Sequence, residues 1–190
     1  VAKYDVSAGT WAAVGLGIDD GTVYDIAVSA GGDVYVGGSF TVAGGSPADR
    51  VAVCLSGAGD FTSIGAANDD VFALCLTYDG DLWIGGDFDV IDGVAAECIA
   101  RYDISADAWY AAAGFDNTTD SIRALAQGLD GTIYAGGNFT AAGGDADADY
   151  IAQWDGTDWH DVGGPMNGTC YCIAFGSDGT LYAGGSFTTW

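Results

Sequence analysis

The chain has 190 residues, of which 49% are hydrophobic, 32 are glycine and only 2 are proline. This composition excludes collagen and a disordered chain, and it favours one compact, turn-rich all-β domain. The formal net charge of −23 disfavours binding to nucleic acid or to anionic lipid surfaces. We expect no membrane insertion, because no apolar run approaches the roughly 18 to 20 residues that cross a bilayer.

The first predicted elements are two short strands in residues 1–15, within VAKYD and TWAAVG. They match the third and fourth strands of later repeats, so we expect a processed or excised piece that begins in mid-repeat. The next two strands, in VYDIAVS and VYVGGSF, are joined by Gly31 and Gly32, which is the turn chemistry of a tight hairpin. Strands in VAVCLS and DFTSIG complete the first set.

The same order of strands then recurs at a fixed period. Gly-Gly doublets begin at Gly37, Gly85, Gly136 and Gly184, spaced by 48, 51 and 48 residues. Asp-Gly pairs replace the Gly-Gly turn in the later hairpins. We place the repeats approximately at 1–48, 49–97, 98–149 and 150–190 of a single domain, 1–190.

Four short strands per repeat of this length are typical of a β-propeller blade. We predict an all-β, four-bladed propeller with four antiparallel strands per blade, whose last blade is closed by pairing residues 1–15 with residues 170–190. The doublet glycines would allow close backbone approach and a sharp turn. The aromatics that follow them would pack between blades, as would Trp11, Trp109 and Trp159, which share one slot in the fourth strand.

The Gly-Gly doublet and the aromatic strand before it resemble kelch-type propellers. The fuller phrase, IAQWDGTDWHDVGG followed by GTLYAGGSFT, is similar to repeats of secreted or surface proteins, including the propeller ectodomain of fungal Rax2 and bacterial extracellular repeat proteins. The resemblance covers all four repeats and implies a propeller fold without implying one activity. Kelch-type copper oxidases need several histidines, and this chain has one, so that activity is excluded.

Three asparagines lie in N-x-[ST] sequons, Asn117, Asn138 and Asn167. They predict N-linked glycans if the source is a secretory eukaryote, the alternative being plain polar loop residues. Asp145, Asp147 and Asp149 alternate in GGDADADY and suggest a weak calcium site, although the spacing departs from an EF-hand loop. A solvated loop is the favoured alternative, and no other cofactor is expected.

Five cysteines, Cys54, Cys75, Cys98, Cys170 and Cys172, contain no CxxC pair and leave disulfide pairing or free thiols open. With the single His160, which we expect to be exposed, they argue against zinc. Only aspartate is plentiful enough for catalysis. Asp25 is the most unusual, and we expect it to be an isolated channel residue bonded to water.

These features predict a non-enzymatic, secreted or extracellular glycoprotein module with a structural or adhesive role. Its expected partners are copies of itself, other surface proteins and glycans. The N-terminal strands could complete a neighbour's last blade and so build a head-to-tail filament. The alternative is a lectin-like, carbohydrate- or ligand-binding propeller, and an Asp-based glycoside hydrolase ranks last.

Overall fold

The computed structural model describes residues 1–112, 114–115 and 119–190, and its regular structure is almost entirely β. The chain starts with an antiparallel pair that we name the N-terminal hairpin, β1 (Ala2–Asp5) and β2 (Thr10–Ala13). In the described residues, no helix is long and apolar enough to cross a membrane.

Three four-stranded antiparallel sheets follow, and we name them the first, second and third blades. Between the second and third strands, the first and second blades each contain a short hairpin, and the third contains a 3-10 helix. The elements of the first blade are β3 (Val23–Val28), β4 (Val34–Gly38), β5 (Val42–Ala43), β6 (Ser46–Pro47), β7 (Val51–Cys54) and β8 (Thr62–Ser63). Those of the second are β9 (Val71–Leu76), β10 (Leu82–Gly86), β11 (Val90–Ile91), β12 (Val94–Ala95), β13 (Ile99–Asp103) and β14 (Ala108–Ala111).

The third blade contains β15 (Ser121–Gln127), β16 (Ile133–Asn138), the 3-10 helix η1 (Ala142–Gly144), β17 (Ile151–Trp154) and β18 (Trp159–His160). The sheet orders are β3–β4–β7–β8, β9–β10–β13–β14 and β15–β16–β17–β18. A last pair, the C-terminal hairpin, consists of β19 (Cys170–Phe175) and β20 (Leu181–Gly185). The first strands of successive sheets, β3, β9, β15 and β19, lie beside one another, and we name them the inner strands.

The hairpin turns have one more residue than the sequence predicted. In the first blade the Gly32 amide donates to the Ser29 carbonyl, and the Ser29 amide donates to the Asp33 carbonyl. This is a type I turn followed by one left-handed residue, Gly32 at φ 90°. The other three hairpins repeat the same pair of hydrogen bonds. Only the second residue of each Gly-Gly or Asp-Gly pair therefore requires glycine.

The Gly-Gly doublets are required for space and not for an unusual φ, which corrects the expectation of a sharp turn. A Cβ on Gly86 would lie 2.0 Å from the Asp70 carbonyl oxygen, and a Cβ on Gly85 would lie 2.3 Å from Ile122 Cγ2 of the next blade. A Cβ on Gly38 or Gly137 would lie at the same 2.0 Å from a carbonyl at the start of its own inner strand. One glycine thus packs on its own inner strand and the other on the neighbouring blade.

The hydrophobic core lies between blades, as the repeated aromatics predicted. Phe88 packs in a cluster that joins the first and second blades, and Phe139 in one that joins the second and third. Trp109 Nε1 donates to the Ile64 carbonyl of the first blade at 2.7 Å, and Trp159 Nε1 to Ala112 of the second at 3.0 Å. Interblade packing is confirmed for these residues.

Trp11 differs from its counterparts, because it is 71% exposed on the N-terminal hairpin.

The predicted closing blade is not formed in this structure. β1 pairs with β2 and β19 pairs with β20, as two separate two-stranded sheets. The N-terminal hairpin packs against the first blade through Val1 and Val14, whereas the C-terminal hairpin contacts β15 and β16 of the third. In the described residues, no strand pairing joins β1 to β20, so the two half-blades remain separate sheets.

We expect Gly86→Ala to lower the free energy of unfolding by about 3 kcal/mol, since the new methyl group overlaps a backbone carbonyl that cannot move without its strand. Urea denaturation followed by circular dichroism measures the change. Gly59→Ala is the matched control, because its Cβ meets nothing within 4 Å and its φ is not positive. An equal effect of both substitutions would contradict the packing role of the doublet.

Candidate functional site

Each inner strand contains a β-bulge at the same place. In β3 the register passes from Val23 opposite Gly38 to Asp25 opposite Gly37, so Tyr24 has no residue across from it. The same shift leaves Phe72, Arg123 and Tyr171 without a cross-strand partner in β9, β15 and β19. Bulges re-aim a side chain out of the ladder. We name these four residues the bulge row.

The bulge row forms contacts from blade to blade. The rings of Tyr24 and Phe72 lie 5.2 Å apart, and the Arg123 guanidinium carbon lies 3.9 Å from the centre of the Phe72 ring. Arg123 and Phe72 therefore form a cation–π contact between the second and third blades. Tyr24 and Tyr171 are 46% and 57% exposed, so the row presents aromatic surface to solvent.

Carboxylates border the bulge row and tie it to its neighbours. The Tyr24 hydroxyl donates to Asp70 Oδ2 at 3.3 Å, and Arg50 Nε lies 3.8 Å from Asp70 Oδ1. Arg123 Nη2 lies 3.8 Å from Asp87 Oδ2. Of the four Lys and Arg residues of a strongly acidic chain, Arg123 thus belongs to this row and Arg50 lies beside it. The arrangement offers aromatic faces together with paired charges.

Asp25 follows the bulge in β3 and joins two blades. Its Oδ2 accepts the Leu74 amide of the next inner strand at 2.7 Å, and its Oδ1 accepts the amide of Ile26 at 2.8 Å. The expectation of an isolated, water-bonded carboxylate was therefore wrong, because the next blade supplies the donor. Burial raises the pKa of Asp25, and the two amide hydrogen bonds oppose that shift.

The calcium hypothesis for the loop before β17 receives no support from its geometry. Asp145 Oδ1 and Oδ2 accept the amides of Asp147 and Asp161, and Asp149 Oδ1 accepts that of Ala141. Among the described residues, no three His, Cys, Asp or Glu side chains are grouped so as to hold a metal ion. These carboxylates shape the loop by bonding to its backbone.

The predicted glycan acceptors have different surroundings. Asn138 and Asn167 are both exposed, whereas Asn117 lies outside the described residues. Asn167 Oδ1 accepts the amides of Thr188 and Thr189, and its Nδ2 donates to Thr188 Oγ1. Asn68 caps the equivalent amides two repeats earlier, so Asn167 also has a structural explanation. Glycosylation stays a prediction.

The cysteines form no disulfide in the described residues. Cys54, Cys75, Cys170 and Cys172 carry free thiols, and only Cys172 is exposed. Burial raises the pKa of Cys75 and of Cys170 to about 11, so both remain protonated at neutral pH. Cys98 is buried, with its Sγ 3.4 Å from the Asp120 carbonyl oxygen. The four buried cysteines serve as small core side chains, whereas Cys172 lies at the surface.

His160 is exposed, as the sequence predicted, on the outermost strand of the third blade. Its Nε2 lies 3.0 Å from Asp155 Oδ2. The pKa of Asp155 is lowered, first by the amides of Asp158 and Thr157 and then by His160. Because Asp155 is held by its own turn, this pair belongs to the loop between β17 and β18.

A chain of repeated blades with Gly-Gly doublets matches one known protein family. The profile of the Rax2 C-terminal beta propeller domain matches residues 2–170. The chain belongs to this family. No curated protein sequence matches it significantly. Membership of a Rax2-type propeller family agrees with the resemblance inferred from the repeats, whereas the kelch likeness rests on the doublet alone.

Known structures share this fold at low sequence identity. One is the extracellular domain of a protein described as a one-component system of B. thetaiotaomicron, at 16% identity and a TM-score of 0.67 over 98% of this chain and 24% of that one. Another is virginiamycin B lyase from Staphylococcus aureus, at 17% identity and a TM-score of 0.55 over 88% of this chain and 55% of that one. The Rax2-type domain thus spans a quarter to about half of these relatives.

Sequence reasoning missed the bulge row, although a signal for it is present. The residue after the first hydrophobic residue of each inner strand or, in β19, after Cys170 is Tyr, Phe, Arg or Tyr, whereas the next position holds Asp25, Ala73, Ala124 or Cys172. A large residue recurring between the first apolar position and a smaller one marks the bulged site. Simple alternation could not reveal it, because an inserted residue changes which positions share a face.

We expect Asp25→Asn to change the pH dependence of stability. Because the folded pKa of Asp25 is raised above its ordinary value of 3.8, its favourable contribution is complete below that value and is lost as pH rises through the folded pKa. The stability of the unsubstituted protein relative to Asp25→Asn should therefore fall from acidic to neutral pH. Urea midpoints of both proteins across this range measure it, and a constant difference would contradict the burial of this carboxyl.

Proposed function

We propose that the domain is a non-enzymatic structural or adhesive module of a secreted or cell-surface protein. One observation supports this most directly: charged side chains near the inner strands serve contacts between blades. Asp25 binds the Leu74 amide, Arg123 pairs with Asp87, and Arg50 pairs with Asp70. Carboxylates and guanidinium groups held in this way stabilise the assembly of blades, and the surface between them remains available for binding.

The family and its structural relatives bear on where such a module acts. One relative is an extracellular domain by its own description, which favours a location outside the cell for this chain. The net charge of −23 supports a solvating surface suited to crowded or salty surroundings. The exposed sequons Asn138 and Asn167 would receive glycans in a secretory eukaryote.

The lyase relatives provide a contrast. A variant of the S. aureus virginiamycin B lyase with one histidine replaced by alanine is described as catalytically inactive. The single histidine of this chain, His160, lies on the outermost strand β18 and is bound to Asp155. We therefore do not propose a histidine-dependent lyase reaction at the inner strands.

We expect beads coated with the folded domain to adhere to cell-surface preparations, and beads coated with the destabilised Gly86→Ala variant to adhere much less. Adhesion is counted by microscopy, with Gly59→Ala as the control that keeps the fold. A panel of aryl glycosides tests the enzymatic alternative. Turnover of any of them that Asp25→Asn or Asp87→Asn abolishes would contradict a non-enzymatic role. Equal adhesion by the Gly86→Ala and Gly59→Ala variants would contradict an adhesive role of the folded domain.

A second candidate function is carbohydrate binding at the bulge row. The exposed rings of Tyr24 and Tyr171 favour it, because aromatic faces beside carboxylates such as Asp70 combine stacking with hydrogen-bond acceptors. The row is continuous from Tyr24 through Phe72 to Arg123, over three inner strands. The ligand would lie along the row and contact more than one blade.

On a glycan array, we expect the double substitution Tyr24→Ala and Tyr171→Ala to reduce any binding by at least about tenfold, since each lost stacking contact is worth on the order of 1 kcal/mol. Tyr78→Ala is the matched control, because Tyr78 is 73% exposed and lies outside the row. A protein that binds no glycan above background, or equal losses in both variants, would remove the lectin-like candidate.

A further inference from the structure

The C-terminal hairpin leaves an apolar slot of about 500 Å³ on the third blade. Its walls come from the end of the third blade and from β20 together with the residues after it. The lining includes Ile151, Val162, Gly163, Leu181, Ala183 and Phe187. Among the strands that the structure describes, β20 pairs with β19 alone, and its residues Leu181–Ala183 line the slot.

The second blade shows what fills the equivalent space. There β10 pairs with β13, which places Leu82 opposite Tyr102 and Ile84 opposite Ala100. Trp109 of the adjoining strand β14 reaches the first blade, where a Cβ on Gly65 would lie 2.5 Å from its Nε1. A pair of outer strands therefore occupies this position.

The walls of the slot match that template residue by residue. Leu181 and Ala183 take the positions of Leu82 and Ile84, since LYAGG aligns with LWIGG. Gly163 takes the position of Gly65 at the end of DWHDVG and DFTSIG. The missing occupant is thus an outer hairpin carrying a tyrosine on one strand and a tryptophan on the next.

The N-terminal hairpin has this chemistry and exposes it. Tyr4 and Trp11 face each other across β1 and β2 with ring centres 5.2 Å apart, as Tyr102 and Trp109 do at 4.8 Å. The second pair is 6% and 7% exposed, whereas Tyr4 and Trp11 are 48% and 71% exposed. VAKYD also repeats the apolar, alanine, basic, tyrosine and aspartate order of IARYD.

The N-terminal hairpin is already seated on its own first blade as the outer half of a blade. The Leu16 amide donates to Asp60 Oδ1 at 2.9 Å, and Val1 and Val14 pack on the first-blade cluster. In the described residues β1 pairs with β2 alone and β20 with β19 alone, so the hairpin does not fill the slot of its own chain. The edge of β1 that faces away from β2 is therefore unpaired.

We propose that the N-terminal hairpin of one copy completes the C-terminal half-blade of a second copy. β1 pairs antiparallel with the free edge of β20, with Ala2 opposite Ala183 and Tyr4 opposite Leu181, and Trp11 packs against Gly163. The contact is head-to-tail, so each copy keeps one hairpin to give and one slot to receive. It deepens the proposed structural role, because it extends the row of blades from chain to chain.

Two substitutions separate the donor from the acceptor. Trp11→Ala removes the exposed anchor of the hairpin and leaves the slot intact. Ala183→Pro blocks the slot by removing an amide from the free edge of β20. In the first blade, Val36 holds the position equivalent to Ala183. Gly38, two residues further along the same strand, donates its amide to the Arg50 carbonyl, so amides at these alternate positions face the third strand of the blade. Proline is tolerated on an edge strand where its amide would face solvent. Circular dichroism and thermal unfolding verify that both variants fold.

We expect the unsubstituted 190-residue chain to associate as its concentration is raised, as measured by mass photometry and light scattering. Salt should strengthen association, since each copy carries a net charge of −23 that opposes it. Trp11→Ala alone and Ala183→Pro alone should remain monomeric. Their equimolar mixture should form a dimer that grows no further, because one variant supplies the hairpin and the other the slot. Tyr78→Ala should associate like the unsubstituted chain.

Three outcomes would overturn the proposal. They are a strictly monomeric unsubstituted chain, unchanged association of Trp11→Ala, and a mixture of the two variants that stays monomeric. A monomeric chain whose unfolding temperature drops on Trp11→Ala would show instead that the hairpin closes its own ring. A monomeric domain that still adheres to cell surfaces would keep the proposed function and remove only this assembly.

Discussion

The contact between the doublet glycines and the inner strands is the constraint on which the rest of the structure depends. The second glycine of each doublet lies so close to a carbonyl at the start of its inner strand that a Cβ would be 2.0 Å from the oxygen. In three of the four doublets a Cβ on the first glycine would lie 2.3 to 2.8 Å from a side chain near the start of the next inner strand. Blades can stack at this spacing only where two successive residues have no side chain.

This close stacking also explains the bulge row. One residue of each inner strand leaves the ladder opposite the doublet, so the strand can approach its neighbour while a large side chain is turned away. Tyr24, Phe72 and Arg123 then meet across blades instead of within them. The packing of glycine against a carbonyl thus places one residue of each inner strand in a common row. The type of this residue differs from blade to blade, and such differences can give a propeller its binding specificity.

Much of the architecture follows from periodicity in the sequence. The strands, their hairpins and the interblade position of Trp109 and Trp159 could be predicted, because each depends on a local pattern that recurs once per repeat. The bulge row was missed by a prediction based on strand alternation, and the amide partner of Asp25 could not be predicted. An extra residue in one strand shifts the facing of every residue beyond it, and the Leu74 amide comes from a strand 49 residues away.

The sequence by itself determined the all-β repeat, the positions that must be glycine and the matching of the two terminal hairpins as halves of one blade type. Only the tertiary structure decided that these halves stay apart, with the N-terminal hairpin on the first blade and the C-terminal hairpin on the third. The physical reason is that local patterns specify which strands can pair. The rotation from each blade to the next, set by side-chain packing between them, decides which strands meet.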